Sequence, residues 1–410
     1  MWRHIASNAL TFFIVALFLL GGVVTWGTRQ YAAEGPLTQA ICLRVESGGT
    51  MRAVSEDLAA QGAISSDVIF RIGADYAEKA SLLKAGSFLV PERASMAQIV
   101  DIVTRDGAST CGTEVVYRIG VVRTLAEVRQ LDPATSRFVE LAQFDPALEE
   151  RPAAYAEVRT RADTRYRVAV AEGVTSWQVV TALNSLEVLE DDVTTVPPEG
   201  SLAPDSYEIV PGAQVANVLA RMTSAQEQIL AEAWASRADE LPLATPEEAL
   251  ILASIIEKET GVPDERGQVA SVFINRLEQG MRLQTDPTVI YGVTNGQSVL
   301  GRGLRQSELR AETPYNTYVI DGLPPTPIAN PGRASIVAAL NPDTTDFVFF
   351  VADGTGGHAF ADNLDDHNAN VARWREIEAQ MAADAEAQAA ADAEAQAAEE
   401  ADGVGEPVVE

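Results

Sequence analysis

Two glutamates, Glu257 and Glu259, follow the apolar run of residues 249–256. The run is apolar nearly all round and predicts a buried helix, on which Glu259 shares a face with Ile255 and Ile256. Apolar neighbours and the negative end of the helix dipole both raise the pKa of such a carboxyl group. A carboxylic acid that holds its proton near neutral pH is suited to general acid catalysis. Glu259 is therefore the candidate acid, while Glu257 points to the opposite, less apolar face.

Strong end signals bound this predicted helix. Thr245 is the expected N-cap, Pro246 suits the first turn, and Glu248 is spaced to complete a capping box. Gly261 is the expected C-terminal stop. The pattern alone leaves a second interpretation open, in which both glutamates mark the point where the helix reaches solvent and pair with nearby cations.

Two histidines near the end of the chain, His358 and His367, are the other candidates for chemistry. Two histidines without carboxylates at ligand spacing make a weak metal site, so structural hydrogen bonding is the favoured interpretation. The glycine-rich stretch 354–357 is not a phosphate loop, since no Lys-Ser or Lys-Thr pair follows it. We therefore predict neither a metal nor a cofactor.

Seven sequence blocks occur in order between residues 253 and 368: ASIIEKET, VASVFINRL, GMRLQTDPTVIYG, TPYNTY, GLPP, IANPG and FVADGTGGHAFADNLDDHN. Together with EGSLAPDSY at 199–207, they resemble the endolytic murein transglycosylase family, the YceG-like group. The chain departs from the family pattern at Ser206, which replaces threonine, and at Thr326, which replaces glycine. Neither change touches the EKET or LQTDPT blocks.

The resemblance implies a lytic transglycosylase that cleaves the MurNAc–GlcNAc bond within nascent peptidoglycan strands. The products would carry 1,6-anhydroMurNAc ends, and the cut would end glycan elongation. By resemblance Glu259 is the essential acid/base, and the glycan cleft is lined by Gln284, Thr285, Tyr315, Asn316, Thr317 and Tyr318. Residue by residue, the TPYNTY block fits a structural turn with buried tyrosines equally well.

Two alternatives stay open, a non-catalytic membrane-anchored glycan-binding scaffold of the cell-wall machinery and a hydrolase that makes reducing ends. The expected partners are glycan strands, the inner membrane and peptidoglycan synthases. Nucleic acid is excluded as a partner, because 30 Lys and Arg against 59 Asp and Glu leave a net charge of −29.

The elements that must position these residues predict an α+β fold. A single transmembrane helix precedes a small LysM-like α+β module and a mainly helical, lysozyme-like catalytic domain with accessory strands. The expected boundaries are 1–8 for a cytoplasmic N-terminus, 9–28 for the membrane helix, 40–111 for the LysM-like module, 112–164 for an insertion of unknown role, 165–375 for the YceG-like catalytic domain and 376–410 for an acidic, Ala-rich tail.

Residues 9–28 contain no charged side chain, which is about the length a helix needs to cross a membrane. A cleaved signal peptide is the rival interpretation, but the apolar region is long and the YAA sequence at 31–33 is a poor cleavage site. A retained anchor is favoured, followed by a short polar linker at 30–39. The resemblance places the catalytic domain in the periplasm. Cys42 and Cys111 could form a disulfide in that oxidising compartment, although the sequence does not show whether their geometry allows it.

Periodicity predicts strands at 41–47, 84–91, 167–171 and 206–210, and helices at 51–61, 65–76, 95–105, 176–183, 215–233 and 264–279. Residues 122–131 and 137–144 are expected to be helical. Asp286 and Pro287 are expected as the cap and first turn of a short helix. In the tail, ADAEAQAA occurs twice in tandem, which predicts a solvated helical or disordered segment. A docking segment is the sharper alternative there.

Overall fold

The computed structural model of the chain describes residues 2–105, 110–147, 150–161 and 163–402. Its elements follow in the order α1 (Trp2–Ala32), β1 (Ile41–Val45), α2 (Met51–Ala60), α3 (Asp67–Tyr76), β2 (Gly86–Val90), α4 (Met96–Thr104), β3 (Thr113–Ile119), β4 (Thr124–Asp132), β5 (Arg137–Phe144), α5 (Ala153–Val158), β6 (Arg165–Val170), α6 (Ser176–Asn184), β7 (Leu189–Glu190), β8 (Ser206–Ile209), β9 (Ala213–Gln214), α7 (Val215–Ala235), α8 (Pro246–Glu259), α9 (Arg266–Glu278), α10 (Asp286–Thr294), α11 (Gln306–Leu309), α12 (Arg333–Leu340), β10 (Phe349–Ala352), β11 (His358–Ala361) and α13 (Leu364–Asp402). The mixed α+β class is confirmed.

The chain divides into two compact units. The first comprises Met1–Arg118, Arg123–Ala169 and Ser206–Ala213, and the second comprises Ile119–Val122, Val170–Asp205 and Gln214–Glu410.

A small module of two strands and three helices opens the first unit. Strands β1 and β2 pair antiparallel, with Leu43 opposite Phe88, and both side chains join the core beneath α2, α3 and α4. Ser95 caps α4 with a capping box, so the predicted helix start is confirmed. A disulfide joins Cys42 to Cys111, whose Cα atoms lie 5.6 Å apart, within the usual range for such a bond.

The segment 112–164 contributes to a five-stranded sheet with the order β5-β4-β3-β6-β8. The helices expected at 122–131 and 137–144 are wrong, because these residues form the antiparallel strands β4 and β5. Buried and less buried residues alternate in β4 up to Val128, the two-residue period of a strand, and the register shifts between Val128 and Arg129. A turn at residues 133–136 closes the hairpin. The expected boundary at 164 therefore divides one sheet, since β6 and β8 belong to it.

Helix α1 is longer than expected and runs to Ala32, so the predicted linker at 30–39 is shortened from its start. Its span from Leu10 to Ala32 is apolar and long enough to cross a membrane, and none of that window is buried within the protein. The side-chain amide of Gln30 donates to the hydroxyl of Ser65 at 2.9 Å. The ring of Tyr31 lies directly against Gly73 of α3, so the end of α1 packs on the module.

Helix α8 forms the centre of the second unit, with α12 and α9 packed against it. Leu252, Ile255 and Ile256 of α8 are fully buried in the same core as Val269 and Phe273 of α9. Buried apolar side chains on both helices exclude water from this interface, which stabilises the position of the last turn of α8.

Helix α13 includes the tail as far as Asp402. Of the two expected forms, helical or disordered, that part of the tail is helical. Residues 403–410 lie outside the described residues. Where their exposure is described, the side chains from residue 375 onward are exposed with the exception of Ile377, as a solvated helix requires.

Candidate active site

The last turn of α8 presents Glu259. Thr245 caps the helix by accepting the N–H of Glu248, as predicted. The capping box is different from the expected one, because the carboxylate of Glu248 accepts the N–H of Ala244 at 2.6 Å. The helix ends at Glu259, and its C-cap Thr260 is extended. Gly261 follows the cap, the usual position of a stop glycine, but it does not adopt the left-handed conformation.

The Glu259 carboxyl group lies in an environment that favours its protonated form. Burial raises its pKa, the nearby negative charge of Asp286 raises it further, and a hydrogen bond from Thr285 together with the charges of His358 and Arg276 lowers it. The net direction is upward. The sequence predicted the contribution of burial, while Asp286 comes from α10 and its proximity required the fold.

Thr285 donates its hydroxyl hydrogen bond to Oε1 of Glu259. The main-chain N–H of Thr285 donates to Oγ1 of Thr317 at 3.0 Å, and that oxygen lies 2.9 Å from Oγ1 of Thr288. Thr285 is also the N-cap residue of α10. Asp286 was expected to be the cap, but it is the first residue of the helix. The loop before α10 is thus tied to Glu259.

The remaining expected cleft residues divide into exposed and buried groups. Gln284 is exposed and adopts a left-handed backbone with φ 49°, a conformation that costs roughly 1 kcal/mol or more in a residue other than glycine. Asn316 and Thr317 are fully buried, so neither side chain contributes exposed surface in this structure. The Asn316 amide donates to main-chain carbonyls, among them that of Ala311 at 2.7 Å, which makes its role structural.

Both tyrosines of the TPYNTY block make side-chain hydrogen bonds. The hydroxyl of Tyr315 lies 2.8 Å from that of Thr326, and its ring packs on Tyr291 with centroids 5.0 Å apart. The hydroxyl of Tyr318 donates to Asp286 at 2.7 Å. Burial raises the pKa of Tyr318, so its phenol stays protonated. Of this pair, Tyr318 is the one joined to the surroundings of Glu259.

His358 and Glu265 form a pair that the sequence interpretation did not connect to Glu259. Nδ1 of His358 lies 2.9 Å from one carboxylate oxygen of Glu265, and the His358 main-chain N–H donates to the other at 2.9 Å. A Cβ at position 357 would overlap Oε1 of Glu265, so a larger residue there would displace the Glu265 carboxylate. The GTGGH spacing was the available signal, but the carboxylate partner lies 93 residues earlier.

Glu259 and His358 line the same open cavity of about 340 Å³. Thr260, Gly261 and Trp374 also contribute to its walls. His367 lies apart from this cavity lining and stacks on Phe349 at 4.8 Å. Throughout residues 2–105, 110–147, 150–161 and 163–402, no cluster of His, Cys, Asp or Glu is placed to hold a metal ion.

A second buried carboxyl group, that of Glu199, forms a hydrogen bond with Tyr291 of α10. It accepts the N–H of Ser176 at 2.7 Å and the hydroxyl of Tyr291 at 3.1 Å. Burial raises its pKa. Glu199 begins the EGSLAPDSY block, and its contacts fix Tyr291 within α10, the helix that presents Asp286.

The sequence of the chain matches a known protein family. A model of the YceG-like family matches residues 43–373. The chain belongs to the YceG-like family. The matched region begins one residue after Cys42 and contains Cys111, Glu259, Thr285 and His358.

Curated relatives of this YceG-like chain include the endolytic murein transglycosylase of Bacillus subtilis (strain 168), which is 44% identical over 119 residues, 29% of this chain and 32% of that protein. The endolytic murein transglycosylase of Streptococcus pneumoniae (strain D39) is 25% identical over 383 residues, 90% of this chain and 65% of that protein. The matches thus span less than two thirds of either relative. A crystal structure of a YceG-like protein from Listeria monocytogenes covers 81% of this chain and 98% of its own, at 23% identity and a TM-score of 0.44.

Proposed function

We propose that this YceG-like chain is an endolytic lytic transglycosylase that cleaves the MurNAc–GlcNAc bond within nascent peptidoglycan strands and so ends their elongation. The observation that carries the proposal is the carboxyl group of Glu259. It lines a cavity, its pKa is raised, and it accepts a hydrogen bond from the Thr285 hydroxyl. The names of the curated relatives support the same activity.

The reaction assigns two steps to Glu259. Its proton passes to the glycosidic oxygen as the bond from MurNAc C1 to that oxygen breaks, which releases the GlcNAc hydroxyl. The carboxylate then accepts the proton of the MurNAc 6-hydroxyl while O6 bonds to C1. The products carry a 1,6-anhydro end, no water is consumed, and Glu259 regains its proton.

One protein carboxylate is sufficient for this route, because the substrate's acetamido group stabilises the developing cation. A two-carboxylate glycosidase needs a second free acid at a defined separation. Glu257 does not supply it, since its carboxylate accepts the N–H of Gly332 at 2.9 Å. Asp286 accepts the Tyr318 hydroxyl and acts on the pKa of Glu259.

The same proposal includes the finer assignments of the architecture. The module of β1, β2 and α2–α4 would bind glycan in the manner of LysM, and the helices around α8 would form a lysozyme-like catalytic domain. With α1 as a retained single-pass anchor in the inner membrane, both would face the periplasm. Peptidoglycan synthases are the expected protein partners.

The test is digestion of purified glycan strands by the full chain in detergent, followed by mass spectrometry of the fragments. We expect anhydro ends with the unmodified chain and no cleavage with Glu259→Gln. Glu247→Gln is the matched control, because Glu247 is exposed in the first turn of the same helix. Fragments whose new ends have gained water would contradict the proposal and indicate a hydrolase. Intact strands would contradict it and indicate the glycan-binding scaffold.

A further inference from the structure

A second cavity of about 340 Å³ lies in the second unit, and Lys258 reaches into it. Since Lys258 and Glu259 are consecutive on α8, the last turn of this helix supplies one titratable side chain to each of two cavities. The catalytic proposal uses only the cavity of Glu259.

The ammonium group of Lys258 has spare hydrogen-bonding capacity. It donates to the carbonyl of Gly173 at 3.3 Å, and an ammonium has three donors. Within the part of the chain that the structure describes, Lys258 makes no ion pair; the adjacent Glu257 carboxylate accepts the N–H of Gly332 instead. Burial lowers the pKa of Lys258, with the charge of Glu257 opposing that effect.

The other cation of the cavity, Arg302, is already neutralised. Its guanidinium contacts both carboxylate oxygens of Glu308, at 2.6 and 2.9 Å. Such a bidentate pair leaves little attraction for a further anion. Lys258 is therefore the cation available to a ligand, and the ligand's matching group is anionic.

The walls of this cavity are mostly apolar, with contributions from Pro287, Ile290, Leu300 and Ile328. Pro287 and Ile290 belong to α10, which also carries Asp286, whose charge acts on Glu259. The first turn of α10 therefore borders the surroundings of both titratable groups. Lys258 and Glu259 are adjacent in the chain, so the two cavities are lined by neighbouring residues of α8.

We propose that the Lys258 cavity binds the acidic stem peptide borne by a glycan strand, with a stem carboxylate paired to the Lys258 ammonium and the peptide's methyl groups against the apolar walls. The inference rests on the proposed function and names the part of the substrate that sets specificity. Charge complementarity favours an acidic peptide over an uncharged sugar, because a buried ammonium gains most from a partner of opposite charge.

The experiment compares two substrates, glycan strands that carry stem peptides and the same strands after an amidase has removed them. We expect the full chain to prefer stem-bearing strands in kcat/KM, and Lys258→Met to reduce that preference about tenfold. Lys79→Met is the matched control, because Lys79 pairs with Asp101 outside the cavity. It should keep the full preference.

A second variant avoids the buried helix. Val299 lines the cavity and is 52% exposed, so Val299→Asp places a negative charge at the rim without disturbing a core; it should also reduce the preference, whereas Val299→Thr should not. Equal cleavage of both substrates by the unmodified chain, or an unchanged preference in Lys258→Met and Val299→Asp, overturns the stem-peptide proposal alone. Failure to cleave either substrate overturns the proposed function instead.

Discussion

The Thr285 hydroxyl donates a hydrogen bond to the carboxyl group of Glu259, across the junction between the end of α8 and the start of α10. This contact stabilises the ionised carboxylate and opposes the effect of burial on its pKa. It links the helix that carries the acid to the loop that carries the expected cleft residues, so the acid's position depends on both.

Replacing Thr285 by valine should lower kcat/KM about tenfold, because the acid loses the hydrogen bond that orients it. The same change should move the basic limb of the pH profile upward, since the interaction that favours the ionised form is gone. A kcat/KM profile from pH 4 to 9 measures both effects. Thr285→Ser, which keeps the hydroxyl, should follow the unmodified chain; a valine variant with an unshifted limb would contradict this role.

Gly357→Ala should displace Glu265 and with it His358, because the new Cβ would overlap the carboxylate. We expect kcat to fall at least tenfold through loss of geometry near Glu259, with the helical circular dichroism unchanged. Gly261→Ala is the matched control, since it lines the same cavity and has open space around a Cβ. Equal activity of the two variants would show that the His358–Glu265 pair is dispensable.

Glu259→Gln should be more stable than the unmodified chain at neutral pH. A carboxyl group whose pKa is raised in the folded state binds its proton more tightly there than in the unfolded chain, so stability falls as pH rises above the unfolded value. Glutamine removes that cost. Thermal melts at pH 4 and pH 8 should show a higher Tm for the variant at pH 8 and a smaller gap at pH 4. A lower Tm at pH 8 would indicate that the carboxylate stabilises the fold.

Replacing Cys42 and Cys111 together by serine should destabilise the first unit by about 4 kcal/mol, the entropic effect of opening a loop of this length. The two residues are 69 apart in the sequence. Urea unfolding of the full chain, monitored by a spectroscopic probe in the first unit, should show a transition at a lower urea concentration in the double variant. Reductant should have the same effect on the unmodified chain and none on the double variant.

The sequence predicted the elements that depend on local patterns. The helices of the small module, α8 and α9 follow from apolar spacing and caps such as Ser95 and Thr245, because these signals act within a few residues. The helices expected at 122–131 and 137–144 were wrong because both segments carry enough apolar and charged residues to satisfy either period. Pairing with the neighbouring strands, a non-local effect, decides the outcome.

The candidate site was predicted only in part for the same reason. Glu259 could be selected from its own helix, since the apolar face and the helix end are local. The Glu265 partner of His358 and the Asp286 charge on Glu259 arise from segments far apart in the chain. The burial of Asn316 and Thr317 likewise depends on contacts between distant segments, such as that of Thr317 with Thr288 of α10, which no short-range pattern encodes.

The end of helix α1 is docked on the first module, because Gln30 hydrogen-bonds to Ser65 and Tyr31 packs on Gly73. These contacts limit the distance between the module and the surface of a bilayer that holds α1. Under the proposed function, the module would then contact only glycan that lies near the membrane surface.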